Sequence, residues 1–343
     1  MLSLSEILNR SLAGQTPTSG ELEYLAEVML SDKRRSLAFG ITPANVEEVI
    51  RERSHLLLGV YPNLHPVSSL ETLWNLWLPL AMQLAQSQQQ LGHPLIQGIL
   101  GGQGTGKTTL AAILTLILKH LGKSTLSLSL DDLYKTYSDR LALRKQERRL
   151  IWRGPPGTHD IDLGLAVLDR LRHPDGQPIP IPRFDKSAWN GAGDRTQAEI
   201  VQGADIVLFE GWFVGVRPID PVAFENPPPP ILTADDKTFA RDMNARLEEY
   251  LPLWARLDRL MVLYPVDYRL SLAWRQQAER EMIAAGKSGM SDSEINEFVK
   301  FFWKSLHPEL FIKPLTTNPN WVDLVIEINA DHSPGDVYRP SDR

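Results

Sequence analysis

The chain has no cysteine among its 343 residues. That excludes a disulfide framework, a thiolate metal site and a cysteine nucleophile, and it suits a reducing compartment. Its apolar runs stop well short of the ~20 residues a membrane helix needs, so no membrane span is expected. Positive charge is not in surplus either. The 36 basic and 42 acidic residues leave a net charge of −6, so no global field draws nucleic acid or an anionic membrane, and an anionic ligand must be held locally. The start, Met1-Leu2-Ser3-Leu4-Ser5-Glu6, lacks the basic-then-apolar pattern of an export signal, and Glu6 and Arg10 interrupt the apolar positions around them. A cytoplasmic location is expected. The chain shows no internal repeat and carries no signal for an oligomeric state.

What is present is ample apolar content, 43% of residues, in a length that suits one large α/β domain with a smaller appended region. Residues 1–92 read as helical. Leu22, Leu25, Val28 and Met29 recur at helical spacing, and Thr42-Pro43-Ala44-Asn45 offers a cap with proline in the first turn. Trp74 and Trp77, with Leu78, Leu80 and Met82, are expected to dock this region onto residues 93–343.

From Pro94 the texture changes to short apolar runs: Leu95 to Leu100, Thr125 to Leu130, Ile206 to Phe209, Leu260 to Leu263 and Leu324 to Ile328. Helical stretches separate them, from Thr108 to Leu121, Ile161 to Leu171, Ala234 to Leu257 and Tyr268 to Ala285. This alternation describes a doubly wound α/β fold on a five-stranded parallel sheet covered on both faces. Ile179 to Arg195, which carries several Pro and Gly, and Pro227 to Pro230, an extended connection, interrupt it, and the tail after Asn329 is expected to be a mobile end.

Gly101-Gly102-Gln103-Gly104-Thr105-Gly106-Lys107-Thr108 fits the phosphate-binding pattern G-x-x-x-x-G-K-[ST], with a strand before it and a helix after it. Glycines let the backbone N–H groups of Gly102 to Thr109 turn around an anion, and the helix start adds its positive dipole end. Lys107 supplies a point charge for the outer phosphates. Thr108 is placed to hold Mg²⁺. Such a loop does not by itself separate ATPase, GTPase and small-molecule kinase, so the other strand ends decide.

The second strand runs into Asp131-Asp132, with period-two alternation placing Asp131 on the serine side. A kinase acting on a hydroxyl needs a carboxylate to orient it, and Asp131 is the candidate, while Asp132 reads equally well as a helix cap. The third strand ends in Glu210, where a carboxylate meets the metal's water shell. Glutamate departs from the Asp-x-x-Gly of switch GTPases, and no Asn-Lys-x-Asp guanine-reading motif exists. Beyond the fourth strand, residues 268–290 carry Arg269, Arg275 and Arg280 with Gly286-Lys287-Ser288-Gly289, which suits a lid. Arg275 is the candidate for transition-state charge, although Arg275 and Glu279 also have the spacing of an ordinary ion pair.

Together these residues resemble the phosphoribulokinase, uridine kinase and pantothenate kinase class of P-loop kinases, and within it the D-glycerate 3-kinase branch of plants and cyanobacteria. The likeness spans roughly Pro94 to Asn329. Beyond the phosphate loop it rests on the segments Ser129 to Thr136, Arg153 to Asp160, Ile181 to Ser187, Gly193 to Arg195, Asp205 to Trp212, Trp274 to Glu279 and Gly289 to Asp292. One departure is Pro155-Pro156, which stiffens the loop before Gly157-Thr158-His159. The resemblance implies transfer from ATP to the 3-hydroxyl of D-glycerate, giving 3-phosphoglycerate as in photorespiratory carbon salvage. It also implies that Asp131 is the base and that Tyr134, His159, Asp160, Arg183 and Asp185 face the acceptor. Arg183 is of the right type for the glycerate carboxylate, and His159-Asp160 for its hydroxyls.

The expectation is thus a P-loop kinase with strand order 2-3-1-4-5, using Mg²⁺ and ATP. Rival readings are a kinase of the same class for a nucleoside, pantothenate or a sugar phosphate, and a nucleotide-binding regulator.

Overall fold

The computed structural model describes residues 2–64, 69–284, 286 and 289–342. Ala285, Lys287 and Ser288 of the expected lid, and Met1 of the start, lie outside the described residues. Among those described, no helix is long and apolar enough to cross a membrane.

The central sheet has strands β1 (Leu95–Gly101), β2 (Thr125–Ser129), β3 (Ile206–Gly211), β4 (Arg259–Pro265), β5 (Leu324–Ile328) and β6 (Pro334–Tyr338). Their spatial order is β6-β5-β4-β1-β3-β2. The first five are parallel and follow the expected 2-3-1-4-5 order. The tail forms a sixth strand instead of a mobile end: β6 returns antiparallel along β5, with Val337 opposite Ile326, and its Val337 and Tyr338 are buried.

Every residue of β1 is buried, Gln97 included, because helices cover both faces, as its mostly apolar run foretold. On one face Leu95 and Ile99 join the helix Lys107–His120 and the N-terminal helices through Leu57, Trp74 and Leu78. On the other, Ile96 and Leu100 join Val167, Met243, Tyr250 and Trp254. The N-terminal helices thus close one face of the sheet. Truncating a side chain such as Leu57, fully buried in this layer, is worth about 2–5 kcal/mol of stability.

Several helix starts follow local capping chemistry. Ser3 with Glu6, Thr18 with Glu21 and Ser291 with Glu294 each form a reciprocal capping box. Thr42-Pro43 does not start a helix. Asn45 accepts from the Thr42 amide at 2.8 Å and closes a turn, so the helix begins at Val46. The long stretch expected from Ala234 breaks after Arg246 into a 3₁₀ turn and a short helix, Leu251–Trp254, with Pro252 in its first turn. Ile179 to Arg195 contributes to two small antiparallel ladders, Ile179–Ile181 with Glu199–Val201 and Phe184–Asp185 with Asp194–Arg195. The second packs against the turn that follows β2.

Candidate active site

The phosphate loop leaves β1 at Gly101. Gly104 and Gly106 adopt φ of +78° and +82°, the left-handed region that favours glycine. At Gly104 space matters as well, because a Cβ there would lie 2.7 Å from the Trp274 Cβ on the helix Leu270–Ala284. Gly106 caps the helix Lys107–His120, whose first amides and dipole end face the loop. Lys107 Nζ donates to the Gly102 carbonyl at 2.9 Å. Burial pushes its pKa down and Lys186 adds to this, while the Glu210 and Asp131 carboxylates oppose it. Thr108 Oγ1 donates to Glu210 Oε1 at 3.4 Å. One hydroxyl and one carboxylate at the loop's base are the donor set with which a hard cation keeps most of its water, so these residues fit Mg²⁺.

At the end of β2 the expected alternation breaks. Asp132 Oδ2 accepts from the Ser129 amide at 3.0 Å and fixes a 3₁₀ turn, Leu130–Leu133. Asp132 is therefore a cap. Asp131 is left to bond the Lys186 ammonium, 2.6 Å from Oδ2. Burial works against its charge, but Lys186 and a hydrogen bond from Tyr134 outweigh this and hold the carboxyl below its usual range. It is ionised at neutral pH.

Tyr134 and His159 face each other on paired extended segments, their rings stacked at 4.6 Å. Both are buried. The Tyr250 hydroxyl accepts from the Gly157 amide at 2.8 Å, so its own proton goes to His159 Nδ1, also at 2.8 Å. That order assigns the imidazole N–H to Nε2, and this buried nitrogen has no partner among the described residues. Burial pushes the imidazole down to about 3, so His159 is neutral. Pro155-Pro156 leads into this arrangement: Gly157 adopts φ +94°, the left-handed region that favours glycine, and a Cβ there would displace the end of the Arg246 side chain, 2.6 Å away at Nη1.

The chain is 33% identical over 255 residues to the chloroplastic D-glycerate 3-kinase of Arabidopsis thaliana, a match covering 70% of this chain and 54% of that protein. The chain thus spans about half the length of that relative. It is 30% identical over 248 residues to the uncharacterized kinase mug58 of Schizosaccharomyces pombe, covering 69% of this chain and 90% of the relative. The chain belongs to this family of P-loop kinases. A solved D-glycerate 3-kinase from Cryptococcus neoformans superposes with a TM-score of 0.65 at 27% identity, covering 76% of this chain and 97% of that one. No family model matches the chain.

Within the kinase cleft the structure gathers Lys107, Thr108, Glu210, Asp131, Tyr134 and His159. Other expected residues are engaged elsewhere. Arg183 spends its donors on Asp132 Oδ2 (2.8 Å), the Ser127 carbonyl (3.1 Å) and Glu199 Oε2 (2.6 and 2.9 Å). It ties the small ladder to the end of β2, where a carboxylate ligand would have to displace these partners. Asp160 caps the helix Ile161–Arg172, and it pairs with Arg195 at 2.7 Å. Asp185 accepts from the Ser187 amide and hydroxyl in a tight exposed turn. Arg275 pairs with buried Glu279 at 2.7 Å and lies over the Phe298 ring. The ordinary helical ion pair is the arrangement it adopts. Lys186 and Tyr250 were not singled out from sequence. Lys186 lies inside the Ile181 to Ser187 motif, which is a signal, but Tyr250 offered none.

Proposed function

We propose that the protein transfers the γ-phosphoryl group of ATP to the 3-hydroxyl of D-glycerate, giving 3-phosphoglycerate. The observation that carries this reading is the ionised Asp131, bonded to Lys186 and close enough to Lys107 to act on its charge. A base, a cation for the acceptor and a cation for the donor therefore meet at one point. The relatives named D-glycerate 3-kinase support this acceptor.

In this reading the loop from Gly102 to Thr109 cradles the phosphates, and Lys107 neutralises the outer ones. Thr108 and Glu210 hold Mg²⁺, which when bound offsets phosphate charge. Asp131 accepts the proton of the 3-hydroxyl as its oxygen bonds to the γ-phosphorus, and the bond to the bridging oxygen breaks to release ADP. Lys186, a flexible point charge with three donors, replaces Arg183 as the group that meets the glycerate carboxylate. His159 Nε2–H, an unused donor in a buried site, serves an acceptor oxygen above the Tyr134 ring. Arg275 would reach the phosphates only by exchanging Glu279, so charge stabilisation in the transition state is assigned to Lys107. The lack of cysteine supports a reducing, cytoplasmic setting, and salvage of photorespiratory glycerate is the process this product suits.

An acceptor panel tests the assignment. With Mg²⁺ and ATP, D-glycerate should drive ADP formation, whereas uridine, pantothenate and ribulose 5-phosphate should not. ADP release without any acceptor would favour a nucleotide-binding regulator instead.

A further inference from the structure

The motifs of the kinase family all lie from Pro94 onward, yet the pocket that opens from the phosphate loop is walled partly by the N-terminal region. This pocket, about 560 Å³, is lined by Gly104 to Leu110 of the loop and its helix, and by Trp274 and His332. Thr72, Leu76 and Trp77 also line it. Trp274 and His332 stack at 4.5 Å, and Trp274 Nε1 donates to the Ala330 carbonyl at 3.0 Å, so that wall is fixed by the turn between β5 and β6.

Trp77 reaches the pocket through an unusual backbone. The helix running from Leu70 to Leu91 widens into one π turn at Leu73–Trp77, where the Leu78 amide bonds the Leu73 carbonyl five residues back. An α-helix would instead pair Leu78 with Trp74. The freed Trp74 carbonyl is taken by Arg53 Nη1 at 3.3 Å, from an arginine only 2% exposed. Burial pushes the Arg53 pKa down to about 9, with Arg35 adding to the effect. Burying a guanidinium is costly, and here the expense supports a wider turn. One additional residue per turn rotates the following side chains by roughly 100° around the axis. Trp74 stays in the core while Trp77, half-buried, lines the pocket.

We infer that Trp77 forms one wall of the nucleotide pocket and that the base of the bound nucleoside triphosphate packs on it, making the N-terminal region part of the nucleotide site. This rests on the reading of the phosphate loop as the ATP site.

Calorimetric titration of the full chain with Mg-ATP and, separately, with Mg-tripolyphosphate separates the base from the phosphates. Trp77→Ala should weaken ATP roughly tenfold, the loss of one stacked base, and leave tripolyphosphate within about twofold. Trp77→Phe should keep ATP within about threefold, because a stacking face is retained. Unchanged ATP affinity in Trp77→Ala, or an equal loss for both ligands, would overturn the inference and leave the loop reading intact. A parent that binds tripolyphosphate as tightly as ATP would overturn it in the same way. A parent that binds neither ligand overturns the loop reading and this inference with it.

Discussion

In the proposed reading the donor side of the cleft would hold its ligand with backbone from one contiguous stretch, Gly101 to Thr109, whereas the acceptor side would be assembled from side chains near residues 131, 134, 159 and 186. The first is pre-shaped by glycine dihedrals and a helix start. The second depends on ion pairs and ring contacts between segments that are distant in sequence. A backbone cradle is recognisable from spacing and tolerates little substitution. A side-chain cluster is defined by who pairs with whom, and one altered partner redirects it.

The largest expected effect breaks the donor half. Lys107→Ala should lower kcat/KM for ATP by about a thousandfold or more in steady-state kinetics, through lost charge on the outer phosphates. Next, Asp131→Asn should lower kcat by roughly 10²–10⁴-fold, the range for a positioned base. ATP affinity should stay at the parent value, and its parallel loss would show that the two halves are not separable.

Lys186→Ala sharpens the acceptor half. The KM for the acceptor should rise about tenfold or more through loss of a charge-assisted hydrogen bond. Because Lys186 lowers the Asp131 pKa, its removal should also move the acidic limb of the pH–rate profile to higher pH. A purely structural role would leave that limb in place.

The smallest effect concerns stability. His159 has a folded pKa of about 3 against 6.5 unfolded, so between those values the unfolded chain binds the extra proton. Stability from this group is complete above 6.5 and is lost as pH falls toward 3. Chemical denaturation should show His159→Gln losing about 1–2 kcal/mol less than the parent between pH 7 and pH 5.

The strand order, the phosphate loop and the Thr108 and Glu210 positions were legible from sequence, because apolar runs and a contiguous motif report backbone that local rules dictate. The β6 strand was not: Pro334-Gly335-Asp336 reads as loop, and pairing to β5 overrides it. Arg183, Asp160 and Asp185 had the right chemical types for the acceptor, but type does not reveal that Glu199, Arg195 and Ser187 already occupy them. Lys186 was visible only as part of a motif. Tyr250 leaves no local trace, since its role follows from packing between distant segments, whereas the π turn at Leu73–Trp77 has one in Pro79, which interrupts the helix directly after it.

The most direct test is phosphorus NMR of the full chain incubated with Mg²⁺, ATP and D-glycerate. The account predicts 3-phosphoglycerate and ADP appearing in equal amounts, with neither formed when glycerate is omitted. Phosphorylation of the 2-hydroxyl, or ADP accumulating without a phosphorylated acid, would contradict it.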